Sequence, residues 1–386
     1  MAKKKIAILS LLRGGIGHYI AQISPYLARD YDLIYISYKF GLPGDEVTLD
    51  DLAIKKNITS KPYFVIAYNS YQETNQSLGE VLEILKKEKI DVLNVHIGTI
   101  ARETSYFLIP LILAAKKIGI KIFYTFHDVE SFEEFQAGEE VLKLLYSLAD
   151  VATIGNEQEK QKLLDKFNFP KNRLAIARHG IYSIFDFKKF DQKSARQHLG
   201  IPLNKKVILC FGILRPYKGF DDVILAMPEI IKHHPESFLY ISAGTRVFGG
   251  PEELQNLIKK TKIQKFSKTN FDFVLSDQIE AIFKASDIVI LPYRQVSQSG
   301  ILNIALYFQK PLIISNLFVE AKKIENNYGL VIAPAKPQEI VRAVTKLVED
   351  QSLCQKFSQN MQIFQQDKTW RETADTYKKM IELDID

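Results

Sequence analysis

Short apolar runs alternate with helix-period segments along the chain, and the series restarts near the middle; no other feature narrows the fold as far. The first series comprises Lys5–Ser10, Asp32–Ser37, Tyr63–Ala67, Val92–Val95, Ile122–Thr125, Val151–Ile154 and Leu174–Ala177. Helical patterns such as Leu78–Glu88 and Glu139–Leu148 lie between them. Runs that stay apolar, rather than alternating with polar residues, belong to parallel strands covered on both faces. Lys188–Lys205 is polar, contains Gly200 and Pro202, and reads as a linker. A second series follows: Val207–Gly212, Phe238–Ala243, Phe271–Leu275, Ile288–Leu291, Leu312–Ile314 and Leu330–Ile332. The expectation is an α/β chain of two doubly wound, Rossmann-like domains facing an interdomain cleft, with ligands beyond the carboxyl ends of the strands. Residues 1–185 would form the first domain and 186–366 the second. Residues 367–386, with a helix from about Trp370 to Leu383, would cross back to the first.

Composition excludes several classes. The 386 residues suffice for two or three domains, and 46% hydrophobic with 25% charged residues is ordinary for a soluble globular chain. A formal charge of +6, from 51 Lys+Arg against 45 Asp+Glu, suits an anionic ligand or a weak membrane contact but not nucleic acid. Two cysteines, Cys210 and Cys354, leave no disulfide framework and no Cys-rich metal site. Cys210 falls inside an apolar strand pattern and reads as a small buried hydrophobe. The N-terminal Met1-Ala-Lys-Lys-Lys5 leads straight into a strand without a signal-peptide core. Tyr106–Ala115, the longest apolar run, is broken by Pro110 and too short to span a bilayer, so a buried helix is expected. These features predict a cytoplasmic protein, at most peripheral to the inner face of a membrane.

Three segments carry the chemistry. Leu12-Arg-Gly-Gly-Ile-Gly-His18 follows the first strand, and its glycines let backbone amides approach a ligand at a helix start. A dinucleotide site would need glycine where Ile20 stands and an acidic residue near Tyr38-Lys39, so that reading fails; a tight turn without ligand is the plain alternative. In Phe211-Gly-Ile-Leu-Arg215-Pro-Tyr-Lys218-Gly219 a strand gives way to a turn with two cations three residues apart. Arg supplies a rigid fork and Lys a mobile point charge, a pairing suited to a diphosphate; two solvated surface cations are the alternative. In Leu291-Pro-Tyr-Arg-Gln295-Val-Ser-Gln298-Ser299-Gly300 a strand turns into a helix start whose free amides favour an anion, while Ser297 or Ser299 equally suits a simple N-cap.

Together the segments resemble the retaining family-4 (group 1) glycosyltransferases of the GT-B fold, over essentially the whole chain. The resemblance rests on Gly14–Gly17, Asp91-Val-Leu-Asn-Val-His96, Thr125-Phe-His127-Asp128, His179-Gly180, Gly212…Arg215…Lys218-Gly219, Ala285-Ser-Asp-Ile-Val-Ile-Leu-Pro292 and Trp370. It implies a UDP- or GDP-sugar donor on the second domain and a sugar or lipid-linked sugar acceptor on the first. It also implies no cofactor and no metal; Asp221-Asp222 is adjacent rather than spaced as a metal-binding pair. Arg215 and Lys218 would hold the diphosphate with help from Gln298, Ser299 and Gly300, and Gly15 would let the donor approach. Gly14, Asp128 and Gln295 are further candidates for sugar contacts. His127 would be catalytic, its imidazole able to donate to a sugar hydroxyl or to shift a proton; a strand-end structural histidine is the alternative. His18, His96 and His179 read first as structural. The chain departs from the family in one respect. Two glutamates usually stand eight positions apart around the last turn, where Val296 and Ile304 stand here. Gln295 and Gln298 can still bond sugar hydroxyls without charge. The expected reaction is hexose transfer to a hydroxyl acceptor in polysaccharide or glycoconjugate synthesis, with a non-catalytic subunit that binds a sugar nucleotide or a partner enzyme as the alternative.

Overall fold

The structure is a computed structural model that describes residues 3–10, 12, 14–39, 51–58, 60, 62–66, 71–98, 102–130, 137–244, 250–367 and 369–384. The chain divides into two compact units, one of Met1–Gly180 with Thr369–Asp386, the other of Ile181–Lys368.

The first unit holds strands β1 (Lys5–Leu9), β2 (Asp32–Lys39), β3 (Tyr63–Ile66), β4 (Val92–Ile97), β5 (Lys121–Phe126), β6 (Val151–Ile154) and β7 (Leu174–Ile176). They form one sheet in the order β3-β2-β1-β4-β5-β6-β7, and every pairing is parallel. All six residues of β4 are buried, as a central strand sandwiched between helices requires. The second unit holds β8 (Lys206–Ile213), β9 (Ser237–Gly244), β10 (Ser267–Asn270), β11 (Ile288–Leu291), β12 (Leu312–Ser315) and β13 (Gly329–Ile332). Its sheet runs β10-β9-β8-β11-β12-β13, again all parallel. The second sheet thus has the doubly wound order 3-2-1-4-5-6, and the first has the same order with a seventh strand added at its edge. A switch point lies between β1 and β4 in the first and between β8 and β11 in the second.

Three local readings need correction. The strand expected over Phe271–Leu275 lies earlier, at the polar Ser267–Asn270. An edge strand pairs on one side only, so β10 is half-buried throughout and needs no apolar run, whereas Leu275 is exposed beyond it. The supposed linker contains the helix Gln192–Leu199. Asp191 and Ser194 close a capping box at its start, and Gly200 ends it in the left-handed region at φ 60°. The glycine read as a linker signal is a helix stop. The apolar run around Pro110 is a helix, Arg102–Lys117, but only one face is buried: Phe107, Leu111 and Ile112 point inward, Tyr106 and Leu113 outward.

The helix Trp370–Glu382 packs within the first unit, against the helix Gly14–Leu27 and strands β6 and β7. Its Trp370 indole lies so close to Gly180 that a Cβ there would stand 2.7 Å from the ring. At its other end Lys121 Nζ donates to the carbonyls of Met380, Ile381 and Leu383 at 3.1, 2.9 and 2.6 Å, capping the helix C-terminus. Cys210 is fully buried in β8.

Candidate functional site

In the second unit the two phosphate-handling segments emerge from adjacent strands, β8 and β11, on either side of the switch point. Arg215 precedes a single 3₁₀ turn, Pro216–Lys218, and Gly219 follows in the left-handed region at φ 67° before the helix Phe220–His233. A Cβ at Gly219 would sit 2.5 Å from the Pro292 carbonyl oxygen, so the two loops approach too closely for any side chain there. The Arg294 amide donates to the Tyr217 carbonyl at 2.6 Å. The Arg294 guanidinium binds Asp221 at 2.6 Å and Asp222 at 2.8 Å and donates to the Pro216 carbonyl at 3.3 Å. Arg294 therefore ties the β11 loop to the turn that carries both candidate phosphate ligands. Sequence reasoning missed this, because Arg294 and Asp221-Asp222 belong to segments read separately.

Lys218 is only 7% exposed. Its Nζ donates to the Tyr293 hydroxyl at 3.1 Å and lies 4.8 Å from the centre of that ring. Among the described residues it pairs with no carboxylate. Burial, with repulsion from Arg215 second, pushes its ammonium down to about 7. Gly212, at φ 129°, makes room for it: a Cβ there would stand 2.7 Å from Lys218 Nζ and 2.6 Å from Ile301 Cδ1. Arg215 is half-buried, and its Nη1 donates to the Leu214 carbonyl at 3.2 Å.

Ser299 is the N-cap of the helix Gly300–Tyr307, its Oγ accepting from the Leu302 amide at 3.3 Å. The plain capping role is thus present, and the remaining amides of that first turn lack intrahelical acceptors. Gly300 lies 3.8 Å, by its ideal Cβ, from the Tyr182 ring. Gln298 is half-buried and Gln295 exposed on the loop before this helix. Of the two positions that carry glutamates in the resembled family, Val296 is half-buried and Ile304 is 5% exposed, packed as core.

The first unit brings the histidine-bearing strand ends together. Gly14, at φ 58°, opens the helix Gly14–Leu27. Among the described residues no atom beyond the chain neighbours and the helix's own backbone lies within 4 Å of an ideal Cβ at Gly14 or Gly15. Gly17 differs, since a Cβ there would meet the Leu12 carbonyl carbon and Ile54 Cδ1 at 2.8 Å; it is needed for packing. His18 binds the Asp51 carboxylate at 2.7 Å. His127 follows β5, its amide donating to the Ile97 carbonyl at 2.6 Å and its Nε2 lying 2.9 Å from His96 Nδ1. The Tyr19 ring meets it edge-on at 5.1 Å, and Tyr19 also contacts His179 and Trp370. Burial first, then the neighbouring His96 and His179, hold the His127 imidazolium well below its usual range; burial takes His96 to about 3. Both rings are neutral at physiological pH. Asp128, half-buried, belongs to an acidic group with Glu130 and Glu159; after burial itself, these charges push the Tyr146 phenol up. Phe132 and Phe135, the aromatic residues that follow Asp128 in the sequence, lie outside the described residues.

Among the described residues no three His, Cys, Asp or Glu side chains converge as a metal-holding group, and no helix is long and apolar enough to cross a membrane.

Two parallel, doubly wound units with this strand order are the architecture of the GT-B class, and solved structures agree. A glycosyltransferase from Rickettsia africae ESF-5 superimposes with a TM-score of 0.76 over 100% of both chains at 16% identity. Anabaena HepE in complex with UDP-glucose gives 0.72 over 98% of each chain at 18% identity. At such identities these likenesses show the fold alone. The sequence goes further: residues 13–182 match the family described as Glycosyltransferase Family 4, and residues 191–363 match Glycosyl transferases group 1. The chain belongs to the group 1 glycosyltransferases, and it is an enzyme of that kind. A D-inositol 3-phosphate glycosyltransferase from Corynebacterium glutamicum (strain R) is 22% identical over 87% of this chain and 84% of its own length.

Proposed function

We propose that this glycosyltransferase moves a hexose from a nucleoside-diphosphate sugar, UDP- rather than GDP-linked, to a hydroxyl acceptor. The observation that carries the proposal is Lys218: a buried ammonium facing a phenol ring and a guanidinium, with no carboxylate among the described residues to neutralise it. Such a group is costly until an anion arrives. A diphosphate between Lys218 and Arg215 supplies that anion, and the first-turn amides at Ser299-Gly300 extend the same cradle. The uridine preference is supported by HepE, whose structure holds UDP-glucose on the same fold.

In the reaction, the bond from the sugar's anomeric carbon to the β-phosphate oxygen breaks and one to the acceptor oxygen forms. The acceptor's proton passes to the departing diphosphate. Arg215 and Lys218 stabilise the charge that develops there, in a site where burial strengthens each charge-assisted bond. In this reading His127 contacts a sugar hydroxyl, and Gly14 and Gly15 leave room at their helix start. Asp128, Gln295 and Gln298 are further sugar contacts in this reading. No enzymic nucleophile or metal is required, and the sugar retains its anomeric configuration. The acceptor is a sugar or lipid-linked sugar, so the chain would work in the cytoplasm, with weak peripheral membrane contact for a lipid-linked acceptor.

The test is incubation of the full chain with UDP-glucose and GDP-mannose in parallel, following nucleotide release with time. Faster release from the UDP sugar, abolished in Lys218→Ala, is expected. Release from neither donor, with no UDP binding by calorimetry, refutes the proposal.

A further inference from the structure

The histidine pair in the first unit is one end of a continuous chain of buried hydrogen bonds. Asn94 Nδ2 lies 3.1 Å from the Phe123 carbonyl oxygen and 3.0 Å from Thr125 Oγ1. On its other side Asn94 Oδ1 is 3.1 Å from His96 Nε2, and His96 Nδ1 is 2.9 Å from His127 Nε2. Thr125 Oγ1 continues to the Tyr377 hydroxyl at 2.7 Å, and Tyr377 to the Tyr19 hydroxyl at 3.1 Å.

One group in this chain has no freedom. The Phe123 carbonyl can only accept, so the Asn94 amide must turn its NH₂ toward it and its oxygen toward His96. That oxygen can only accept, so His96 carries its proton on Nε2. In a neutral ring Nδ1 is then bare and accepts from His127 Nε2–H. His127, also neutral, is left with Nδ1 as an acceptor.

We infer that Asn94 and His96 are positioning residues that lock His127 in its Nε2–H tautomer, so that its opposite nitrogen accepts, rather than donates, a hydrogen bond. Taken with the reading of His127 as a sugar contact, on which this consequence rests, the partner of Nδ1 must bring a hydrogen. A sugar hydroxyl satisfies it; a phosphate or carboxylate oxygen does not. The expectation that His127 donates to a sugar hydroxyl is thereby reversed. The burial that keeps both rings neutral makes the arrangement persist across the physiological range.

The tautomer can be read without any donor. Nitrogen-15 NMR on histidine-labelled full-chain protein at neutral pH separates protonated from bare ring nitrogens, and His127→Gln assigns the signals. The expected spectrum shows protonated Nε2 and bare Nδ1 for both His96 and His127. In Asn94→Leu, which removes the fixed acceptor, both rings should shift to a mixture of tautomers. Thr125→Val, which cuts the chain beyond Asn94, should leave them unchanged because the Phe123 carbonyl still orients the amide. A protonated Nδ1 on His127 in the wild type overturns the inference, and so does an unchanged spectrum in folded Asn94→Leu. Should Asn94→Leu fail to fold, the wild-type and Thr125→Val spectra decide. The expected tautomer in a protein that binds no UDP and releases no nucleotide would count against the proposed function alone.

Discussion

Replacing Lys218 with methionine, similar in length and uncharged, separates what the residue does for the ligand from what it costs the fold. Burial, with repulsion from Arg215 second, takes its ammonium from the ordinary lysine value of 10.5 down to about 7. At roughly 1.4 kcal/mol for each pH unit of that depression, less about 0.4 kcal/mol because the folded amine is still half-protonated at pH 7, the burial penalty is about 4 kcal/mol. The side chain is 7% exposed, so water screens little of this. Against it stand the bond to the Tyr293 hydroxyl, about 1 kcal/mol, and the contact with its ring, about 1 kcal/mol more. Lys218→Met should therefore stabilise the ligand-free second unit by roughly 2 kcal/mol at pH 7 while abolishing UDP binding.

The pH dependence identifies the cause. Between pH 7 and 10.5 the unfolded chain holds a proton on this lysine that the folded chain has lost. Wild-type stability consequently rises with pH across that window and falls as pH drops toward 7. The methionine variant lacks this contribution, so its advantage should shrink by up to ~1.4 kcal/mol per pH unit above pH 7. Urea unfolding of both proteins at pH 7, 8 and 9 makes the comparison. An advantage that does not change with pH, or a variant less stable at every pH, would refute the claim that an unneutralised ammonium is buried there.

Arg215→Ala should weaken UDP binding by roughly 1.5–3 kcal/mol in calorimetry, since it removes a charge-assisted bond; unchanged affinity would exclude it from the clamp. Gly212→Ala should raise the UDP dissociation constant by roughly tenfold or more, because the added methyl meets both Lys218 Nζ and Ile301 Cδ1 below 3.0 Å and must displace both; wild-type affinity would show that the ammonium's position is immaterial. Trp370→Ala should cost about 3–5 kcal/mol of first-unit stability by leaving a cavity against Gly180 and Tyr19, measured by chemical unfolding. His127→Ala should lower kcat with little change in UDP affinity, and full turnover would return the residue to a structural role.

The sheets were legible because a strand covered on both faces stays largely apolar, as Ile6–Leu9 of β1 and Ile288–Leu291 of β11 do. The same rule misplaced β10, whose edge position removes the need for apolar residues. Gly200 shows a second limit: a helix stop and a linker use the same residue, and only the Asp191–Ser194 box distinguishes them. At the candidate site, Arg215, Lys218 and His127 could be singled out from residue type and from their place after strands. Arg294 was not, since its role depends on two loops from β8 and β11 that are far apart in sequence. His96 read as a structural histidine, and its bonds to Asn94 and His127 show what it orders.

The helix Trp370–Glu382 imposes an order of events on the ribosome. Residues 1–180 emerge first, yet Tyr19, Thr125 and Lys121 wait for partners encoded after the whole second unit. At roughly 5–20 residues per second that delay is on the order of ten seconds or more. During it the nascent first unit exposes the apolar surface that Trp370, Tyr377 and Ile381 later cover. A chain stalled or truncated before residue 370 would leave that surface open to aggregation or to a chaperone. Supplying the missing helix as a separate peptide should rescue it.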